Sequence, residues 1–150
     1  MADFTFPDDL MFNRGRITDP QAYARERGCA SWLCLTGEEF AAMEGGMSYE
    51  QVKAAVPASA NVISDPPRTL DLDLARRHVA ALDELPRPTL VTCRMGPRSS
   101  AAAYMYAGLR AGAAPADVIA AAEDDGAPFV ASEEYKAWVI AAIEALSESP

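Results

Sequence analysis

The sequence predicts an α/β domain with a mainly parallel central sheet flanked by helices. Short apolar runs typical of buried strands alternate with segments of helical periodicity, the order expected of such a sheet. The pattern after residue 98 is purely helical, which predicts extra helices at the C-terminal end. With 150 residues and no low-complexity linker, we expect one domain spanning residues 1–150.

The first half of the chain contains residues typical of the ends of helices and strands. Residues 10–16 predict a short strand. Asp19 and Pro20 predict the N-cap and first turn of a helix that ends near Gly28. Residues 30–36 are almost continuously apolar and predict a buried strand. Ser48, with Gln51 three residues later, predicts a helix that begins with a capping box.

The second half continues the alternation. Residues 61–64 predict a strand, which the following Asp-Pro-Pro sequence ends as an extended loop. Residues 71–85 predict an amphipathic helix with its single histidine, His78, on the solvated side. Residues 88–92 predict a buried strand that runs directly into Cys93. Three helices follow, at 99–110, at 115–126 and from Ser132 onward, the first apolar almost all round.

Composition excludes several classes of function. Half of the residues are hydrophobic and 23% are charged, as in ordinary globular proteins. The net charge of −9 repels nucleic acid and anionic membranes, so neither is an expected partner. No apolar run reaches membrane-spanning length. The first ten residues carry three Asp and no Lys or Arg, which argues against a targeting presequence and for a cytoplasmic protein.

The cysteines point to free thiols. The chain has three cysteines, Cys29, Cys34 and Cys93, and no two of them have CxxC spacing. An odd number of cysteines favours free thiols in a reducing compartment over a disulfide framework. With one histidine in the chain, a dedicated metal site is not expected, and no cofactor is implied. Cys34 lies in an apolar strand and is most simply a core residue, although a role as resolving thiol for Cys93 is an alternative.

The segment 89–100 carries the chemistry. Cys93 stands at the carboxyl end of a predicted strand, where α/β sheets bind ligands, and a helix begins a few residues later. Loop N–H groups and the helix N-terminus can converge on an anion there. Gly96 permits the tight turn, and Arg98 offers a planar fork for two oxygens. We expect this field to hold Cys93 as a thiolate nucleophile, with the Ser99 hydroxyl donating to it.

This loop, Cys93-x-x-Gly96-x-Arg98-Ser99, resembles the active-site loop of the cysteine-dependent phosphatase fold. More narrowly, it is similar to that of the bacterial phosphatase-like family named for a beta-lactamase-hydrolase-like protein (domain of unknown function 442). Weaker likenesses at 14–20, around Leu33 to Leu35, at 46–51 and at 116–122 extend the resemblance over roughly residues 10–130. It implies a phosphatase-like three-layer fold.

The resemblance also implies roles for site residues. The catalytic set would be Cys93, Arg98, Ser99 and an upstream aspartate. The substrate-binding loop residues would be Arg94, Met95, Gly96, Pro97 and Arg98. The aspartate would be Asp65, after a strand and before two prolines, although a loop-capping role is an alternative. Glu38 and Glu39 are weaker candidates for the acid.

Three departures keep the function open. Four residues separate Cys93 from Arg98, whereas the common phosphatase loop has five, and Thr92 stands where most such phosphatases have His. The shorter spacing is similar to that of rhodanese-type sulfurtransferases. Pro97 also lacks an N–H group that the loop could use to bind an anion.

Three functions follow from these residues. The leading prediction is hydrolysis of a phosphate monoester, either a small molecule or a phosphoprotein, through a phosphocysteine. The second is sulfur transfer through a Cys93 persulfide. The third is an anion- or partner-binding module with little catalysis. The sequence predicts neither the natural substrate nor the oligomeric state.

Overall fold

The computed structural model describes residues 4–37, 41–42, 46–65 and 70–147, without the side chains of residues 64 and 65. Four strands and six α-helices lie within these ranges. The strands are β1 (Leu10–Phe12), β2 (Ser31–Thr36), β3 (Ala58–Asp65) and β4 (Thr89–Thr92). The helices are α1 (Pro20–Arg27), α2 (Tyr49–Ala55), α3 (Leu72–Glu84), α4 (Pro97–Ala111), α5 (Pro115–Asp125) and α6 (Glu133–Ser147), with a 3-10 helix at Pro128–Ala131. None of these helices is long and apolar enough to span a membrane.

The strands form one sheet in the order β1-β4-β2-β3, and every pair is parallel. The predicted parallel sheet is therefore confirmed. Strand β4 lies between β1 and β2, with Phe12 opposite Val91 and Cys34 opposite Thr92. Because parallel strands end at the same edge, the residues that follow β1 and β4 are neighbours there. These residues are Asn13 and Cys93.

Helices cover both faces of the sheet, which gives three layers. Alternate residues of a strand point to opposite faces. Trp32, Cys34 and Leu90 pack with α1 and α2 on one face. Leu33 and Val91 belong to the larger core on the other face, with α3, α4, α5 and α6. The additional C-terminal helices predicted from the sequence thus thicken the layer above Cys93.

Local capping confirms most predicted helix boundaries. The Asp19 side chain accepts a hydrogen bond from the N–H of Ala22, and Ser48 and Gln51 form the predicted capping box. The main difference lies at α4, which begins at Pro97 rather than at residue 99. Proline suits the first helical position because its fixed φ is already helical and its missing N–H would have no partner within the helix.

Helix α4 is the centre of the larger core and is buried continuously from Arg98 to Gly108. Its closest approach to the neighbouring helices occurs at Gly108. A Cβ atom there would lie 2.5 Å from Val118 Cγ2 on α5 and 3.2 Å from Ile143 Cδ1 on α6. The three helices therefore pack at a distance that only glycine permits at this position.

The prediction that His78 lies on a solvated face was wrong. His78 is 0% exposed and lies edge-on to the Trp138 ring of α6, with 5.9 Å between ring centroids. Helix α6 covers the side of α3 that its own periodicity left polar. Burial, with a smaller effect from the positive charges of Arg98 and Arg77, lowers the pKa of His78 to about 3.

Replacing Gly108 with alanine should destabilise the protein. Alanine normally stabilises a helix interior by about 1 kcal/mol relative to glycine, but here the methyl group would force Val118 to move. Overpacking of this kind costs roughly 1–3 kcal/mol. Urea denaturation should show the loss, and Gly108→Ala combined with Val118→Ala should be less destabilised than the sum of the two single variants. A purely additive double variant would contradict the close packing.

His78 should make the protein less stable as the pH falls. Below about pH 6.5 the unfolded chain binds a proton at His78, whereas the folded chain does not until about pH 3. The free energy of unfolding should therefore fall by up to about 1.4 kcal/mol per pH unit in this window. Comparison with His78→Phe, which keeps an aromatic ring against Trp138, isolates this group from the many carboxylates. Parallel stability curves from pH 7 to pH 4 would refute the assignment.

Candidate active site

The loop after β4 wraps around the sulfur of Cys93. The side chain is buried, with the residue 2% exposed. The backbone N–H groups of Gly96 and Ser99 donate to Cys93 Sγ over 3.1 and 3.3 Å. Two amide donors on one sulfur stabilise the negative charge of a thiolate and of any group attached to it. The structure thus gives Cys93 the surroundings of a nucleophile.

Gly96 is the residue that allows the loop to close. Its φ of +117° lies in a region that residues with side chains rarely adopt. A Cβ atom would also come within 2.4 Å of the Asn13 carbonyl oxygen and 3.1 Å of Pro128 Cγ. Neither the conformation nor the space allows another residue, so the turn around the sulfur requires glycine.

The loop leads directly into the N-terminus of α4. Gly96 is the N-cap and has no side chain to cap the helix, and the first turn carries no acidic residue. Pro97 occupies the first position, where its missing N–H is one that the helix could not use. The N–H of Ser99, in the same first turn, donates to the sulfur. The positive end of the helix dipole is therefore directed at the Cys93 side chain.

Arg98 is the most unusual residue of the site. It is 1% exposed, and its three guanidinium nitrogens have no hydrogen-bond partner among the described residues. Its guanidinium carbon lies over the Tyr135 ring, 5.7 Å from the ring centroid. Arginine stays charged in proteins, and a buried charge without an ionic partner costs several kcal/mol. The guanidinium is therefore suited to receive an anion.

Ser99 contacts the sulfur through its side chain as well as its backbone. Its Oγ lies 3.4 Å from Cys93 Sγ, and in the thiol form the S–H group donates to it. The Ser99 hydroxyl itself donates to Asn13 Oδ1 over 2.6 Å. The predicted donation from Ser99 to the sulfur therefore requires the hydroxyl to turn once the thiol has lost its proton.

Asn13 is a site residue that the sequence analysis missed. It is 1% exposed. Its side-chain amide forms hydrogen bonds with both backbone polar groups of Cys93. The Cys93 N–H donates to Asn13 Oδ1 over 3.1 Å, and Asn13 Nδ2 donates to the Cys93 carbonyl over 3.0 Å. The sequence pattern placed Asn13 inside a predicted strand over residues 10–16, whereas β1 ends at Phe12 and its pairing with β4 brings Asn13 beside Cys93.

The remaining loop residues differ in exposure. Arg94 is half-buried, and Met95 is 51% exposed, which makes it one of two exposed large hydrophobic side chains among the described residues. Thr92, which replaces the histidine of most such phosphatases, faces the other side of the sheet. Its Oγ1 accepts a hydrogen bond from Trp32 Nε1 over 2.8 Å, so it supports the strand rather than the loop.

The candidates for the general acid are Asp65, Glu38 and Glu39. Asp65 ends β3, at the same edge of the sheet as Cys93, but its side chain lies outside the described residues. Glu38 and Glu39 also lie outside them. Asp65 therefore remains a prediction supported only by its place on the sheet.

Cys34 and Cys93 belong to different core clusters, although they are near enough for Cys93 to contribute, after burial, to the raised pKa of Cys34. Cys34 is packed with Trp32 and Leu90 on one face of the sheet, whereas Cys93 belongs to the core on the other face. Burial raises the pKa of Cys34, while hydrogen bonds to Thr36 lower it by less. This placement favours the simple core role over that of a resolving thiol.

Comparisons with known proteins identify the fold. No family and no curated protein matches the chain at the level of sequence. Several solved structures share its fold, among them three at low sequence identity. A proposed phosphatase from Neisseria meningitidis is 16% identical with a TM-score of 0.68, over 95% of this chain and 99% of that one.

The other two structures are similarly distant in sequence. A proposed phosphatase of domain of unknown function 442 from Shewanella putrefaciens is 17% identical with a TM-score of 0.61, over 97% of this chain and 89% of that one. The TpbA protein of Pseudomonas aeruginosa is 16% identical with a TM-score of 0.57, over 91% of this chain and 84% of that one. The chain therefore has the phosphatase-like fold that its Cys93 loop led us to expect.

Proposed function

We propose that this protein hydrolyses phosphate monoesters through a phosphocysteine. Cys93 Sγ attacks the phosphorus, and the S–P bond forms as the bond to the leaving oxygen breaks. The leaving oxygen takes a proton from a general acid, for which Asp65 is the candidate. Water then attacks the phosphocysteine, which releases phosphate and returns the electron pair to Sγ.

The observation that carries this proposal is the buried guanidinium of Arg98, which has no hydrogen-bond partner in the described part of the chain and lies in the same helical turn as the Ser99 N–H that donates to Sγ. A transferring phosphoryl group develops negative charge on its equatorial oxygens, and fixed N–H donors and a guanidinium stabilise that charge. A cysteine with only a structural role would need neither.

Two further points support the proposal. Two of the proteins with this fold are themselves described as proposed phosphatases. The Ser99 hydroxyl, 3.4 Å from Sγ, is placed to donate to the sulfur as it leaves the phosphorus in the second step. A hydrogen bond to the departing thiolate lowers the barrier to hydrolysis of the intermediate.

Sulfur transfer through a Cys93 persulfide is the second candidate. The four-residue spacing between Cys93 and Arg98 favours it, and the amides of Gly96 and Ser99 would hold a persulfide anion as well as a thiolate. Such a reaction needs no acid to protonate a leaving oxygen. An anion-binding module without turnover is the third candidate, because the same donors bind an oxyanion whether or not chemistry follows.

We expect Arg98 to lower the free energy of unfolding of the empty protein and to be required for phosphate binding. Arg98→Met removes a buried charge that has no hydrogen-bond partner among the residues the structure describes, so we expect a rise of about 1 kcal/mol or more in the free energy of unfolding without phosphate. Inorganic phosphate should stabilise the wild type by mass action but should leave this variant unchanged. Thermal unfolding with and without phosphate measures both effects.

Arg87→Met is the matched control for this experiment. The Arg87 guanidinium donates to the Leu82 carbonyl, the Leu85 carbonyl, Thr89 Oγ1 and Tyr106 Oη. Its loss should therefore destabilise the protein and keep the response to phosphate. Equal destabilisation of both variants, or a preserved phosphate response in Arg98→Met, would remove the main support for the anion site.

Cys93→Ser should abolish the hydrolysis of a generic aryl phosphate between pH 5 and pH 8. The expected loss is at least about 10³-fold, since serine lacks a comparably acidic nucleophile.

Asp65→Asn should slow the hydrolysis of the aryl phosphate but leave transfer from a sulfane-sulfur donor unaffected. If the wild type hydrolyses no aryl phosphate yet accepts sulfane sulfur on Cys93, sulfur transfer is the function. Phosphate binding that survives Cys93→Ser, without turnover in either protein, would identify a binding module.

A further inference from the structure

We infer that Asn13 is the positioning residue of the nucleophile, fixing the backbone of Cys93 and directing the hydroxyl of Ser99. The inference rests on the proposed role of Cys93 as nucleophile. It concerns a residue outside the loop motif, 80 positions before Cys93 along the sequence. The inference is supported by the hydrogen bonds that the buried Asn13 side chain makes with all of its donors and acceptors.

The Asn13 side chain uses all of its hydrogen-bonding capacity within the site. Nδ2 donates to the carbonyls of Cys93 and Gly15 over 3.0 and 2.9 Å. Oδ1 accepts from the Cys93 N–H over 3.1 Å and from the Ser99 hydroxyl over 2.6 Å. An amide has two donors and two acceptor sites, so this one is saturated and cannot rotate without losing several bonds.

The first consequence concerns the position of the sulfur. The bonds to the N–H and the carbonyl of Cys93 hold both peptide groups that flank its Cα. They therefore set the direction in which the side chain leaves the backbone. That direction brings Sγ to 3.1 Å from the Gly96 nitrogen and 3.3 Å from the Ser99 nitrogen. A displacement of a reacting atom by about 1 Å costs roughly 10²-fold in rate.

The second consequence concerns the proton of the Ser99 hydroxyl. In the thiol form this proton points to Asn13 Oδ1, which leaves a lone pair of Ser99 Oγ to accept the S–H group. When the sulfur is a thiolate or a leaving group, the hydroxyl can turn to donate to Sγ. Asn13 Oδ1 then keeps the Cys93 N–H as a donor, so the turn leaves no buried acceptor without a partner.

Asn61 provides a matched control at the neighbouring strand. Its Nδ2 donates to the carbonyls of Cys34 and Thr36 over 2.8 and 3.0 Å, so it also joins backbone groups near the carboxyl end of a strand. It contacts neither Cys93 nor Ser99 in the described structure. Replacing Asn61 therefore measures the cost of losing an asparagine clamp without any effect on the nucleophile.

The experiment compares Asn13→Ala and Asn13→Asp with Asn61→Ala and Asn61→Asp. Three quantities are measured: kcat for an aryl phosphate, inhibition by inorganic phosphate, and the rate at which iodoacetamide alkylates Cys93, followed by peptide mass spectrometry. Asn13→Ala should lower kcat by about 10²-fold and change the inhibition constant of phosphate by less than about three-fold, because the hydrogen bonds of the Asn13 amide are all made to Gly15, Cys93 and Ser99. Asn61→Ala should change kcat by less than about three-fold.

The aspartate variants separate positioning from space-filling. Aspartate has nearly the shape of asparagine, so a role in packing alone predicts that Asn13→Asp is milder than Asn13→Ala. Positioning predicts the opposite for alkylation, since the carboxylate cannot donate to the Cys93 carbonyl and its charge opposes a thiolate nearby. Alkylation of Cys93 in Asn13→Asp should therefore be slower than in Asn13→Ala, while the Asn61 variants alkylate at the wild-type rate.

Two results would overturn the inference. One is an equal effect of the Asn13 and Asn61 variants on kcat and on alkylation at matched stability. The other is wild-type alkylation in Asn13→Asp. The inference is also separable from the proposed function, because the alkylation rates report on the Cys93 sulfur even if the wild type hydrolyses no aryl phosphate.

Discussion

The site depends on one constraint, which is that two backbone N–H groups must reach the same sulfur atom. The chain between Cys93 and Ser99 can do this only by turning at Gly96 with a φ of +117°, in a space that has no room for a side chain. That space is bounded by Asn13 after β1 and by Pro128 of the 3-10 helix. A loop of a few residues is thus held by two segments remote in sequence, and its shape depends on the whole fold.

The C-terminal helices contribute to the electrostatics of the site as well as to its packing. Helix α6 places Tyr135 against the Arg98 guanidinium and Trp138 against His78. Two side chains that can carry positive charge are therefore buried on the same side of α4. His78 responds by remaining neutral, with its pKa lowered to about 3, whereas arginine has no such option. The cost of burial accordingly falls on Arg98, the residue best suited to bind an oxyanion.

The sequence revealed those features that depend on residues close together in the chain. The caps at Asp19 and Ser48 and the turn at Gly96 are local, and the structure has them where they were predicted. The roles of Asn13 and His78 depend on pairing and packing across the fold. Asn13 lies beside Cys93 because β1 pairs with β4, and an order of β1-β4-β2-β3 cannot be read from strand patterns. His78 is buried because α6 covers a helix face whose own periodicity is polar.

The direction of the Arg98 side chain fixes the side from which its positive charge can reach an anion on Cys93. The ring of amides closes through Ser99, six residues after Cys93, and Arg98 precedes it by one position. Successive residues of an α-helix differ by about 100° around the axis, so the Arg98 side chain cannot leave α4 in the direction of Ser99. It is directed towards α6, where the Tyr135 ring lies 5.7 Å from the guanidinium carbon. An oxyanion on Cys93 would therefore receive its N–H donors from the loop and its guanidinium from the α6 side, so the residues of α6 should influence which anions are accepted.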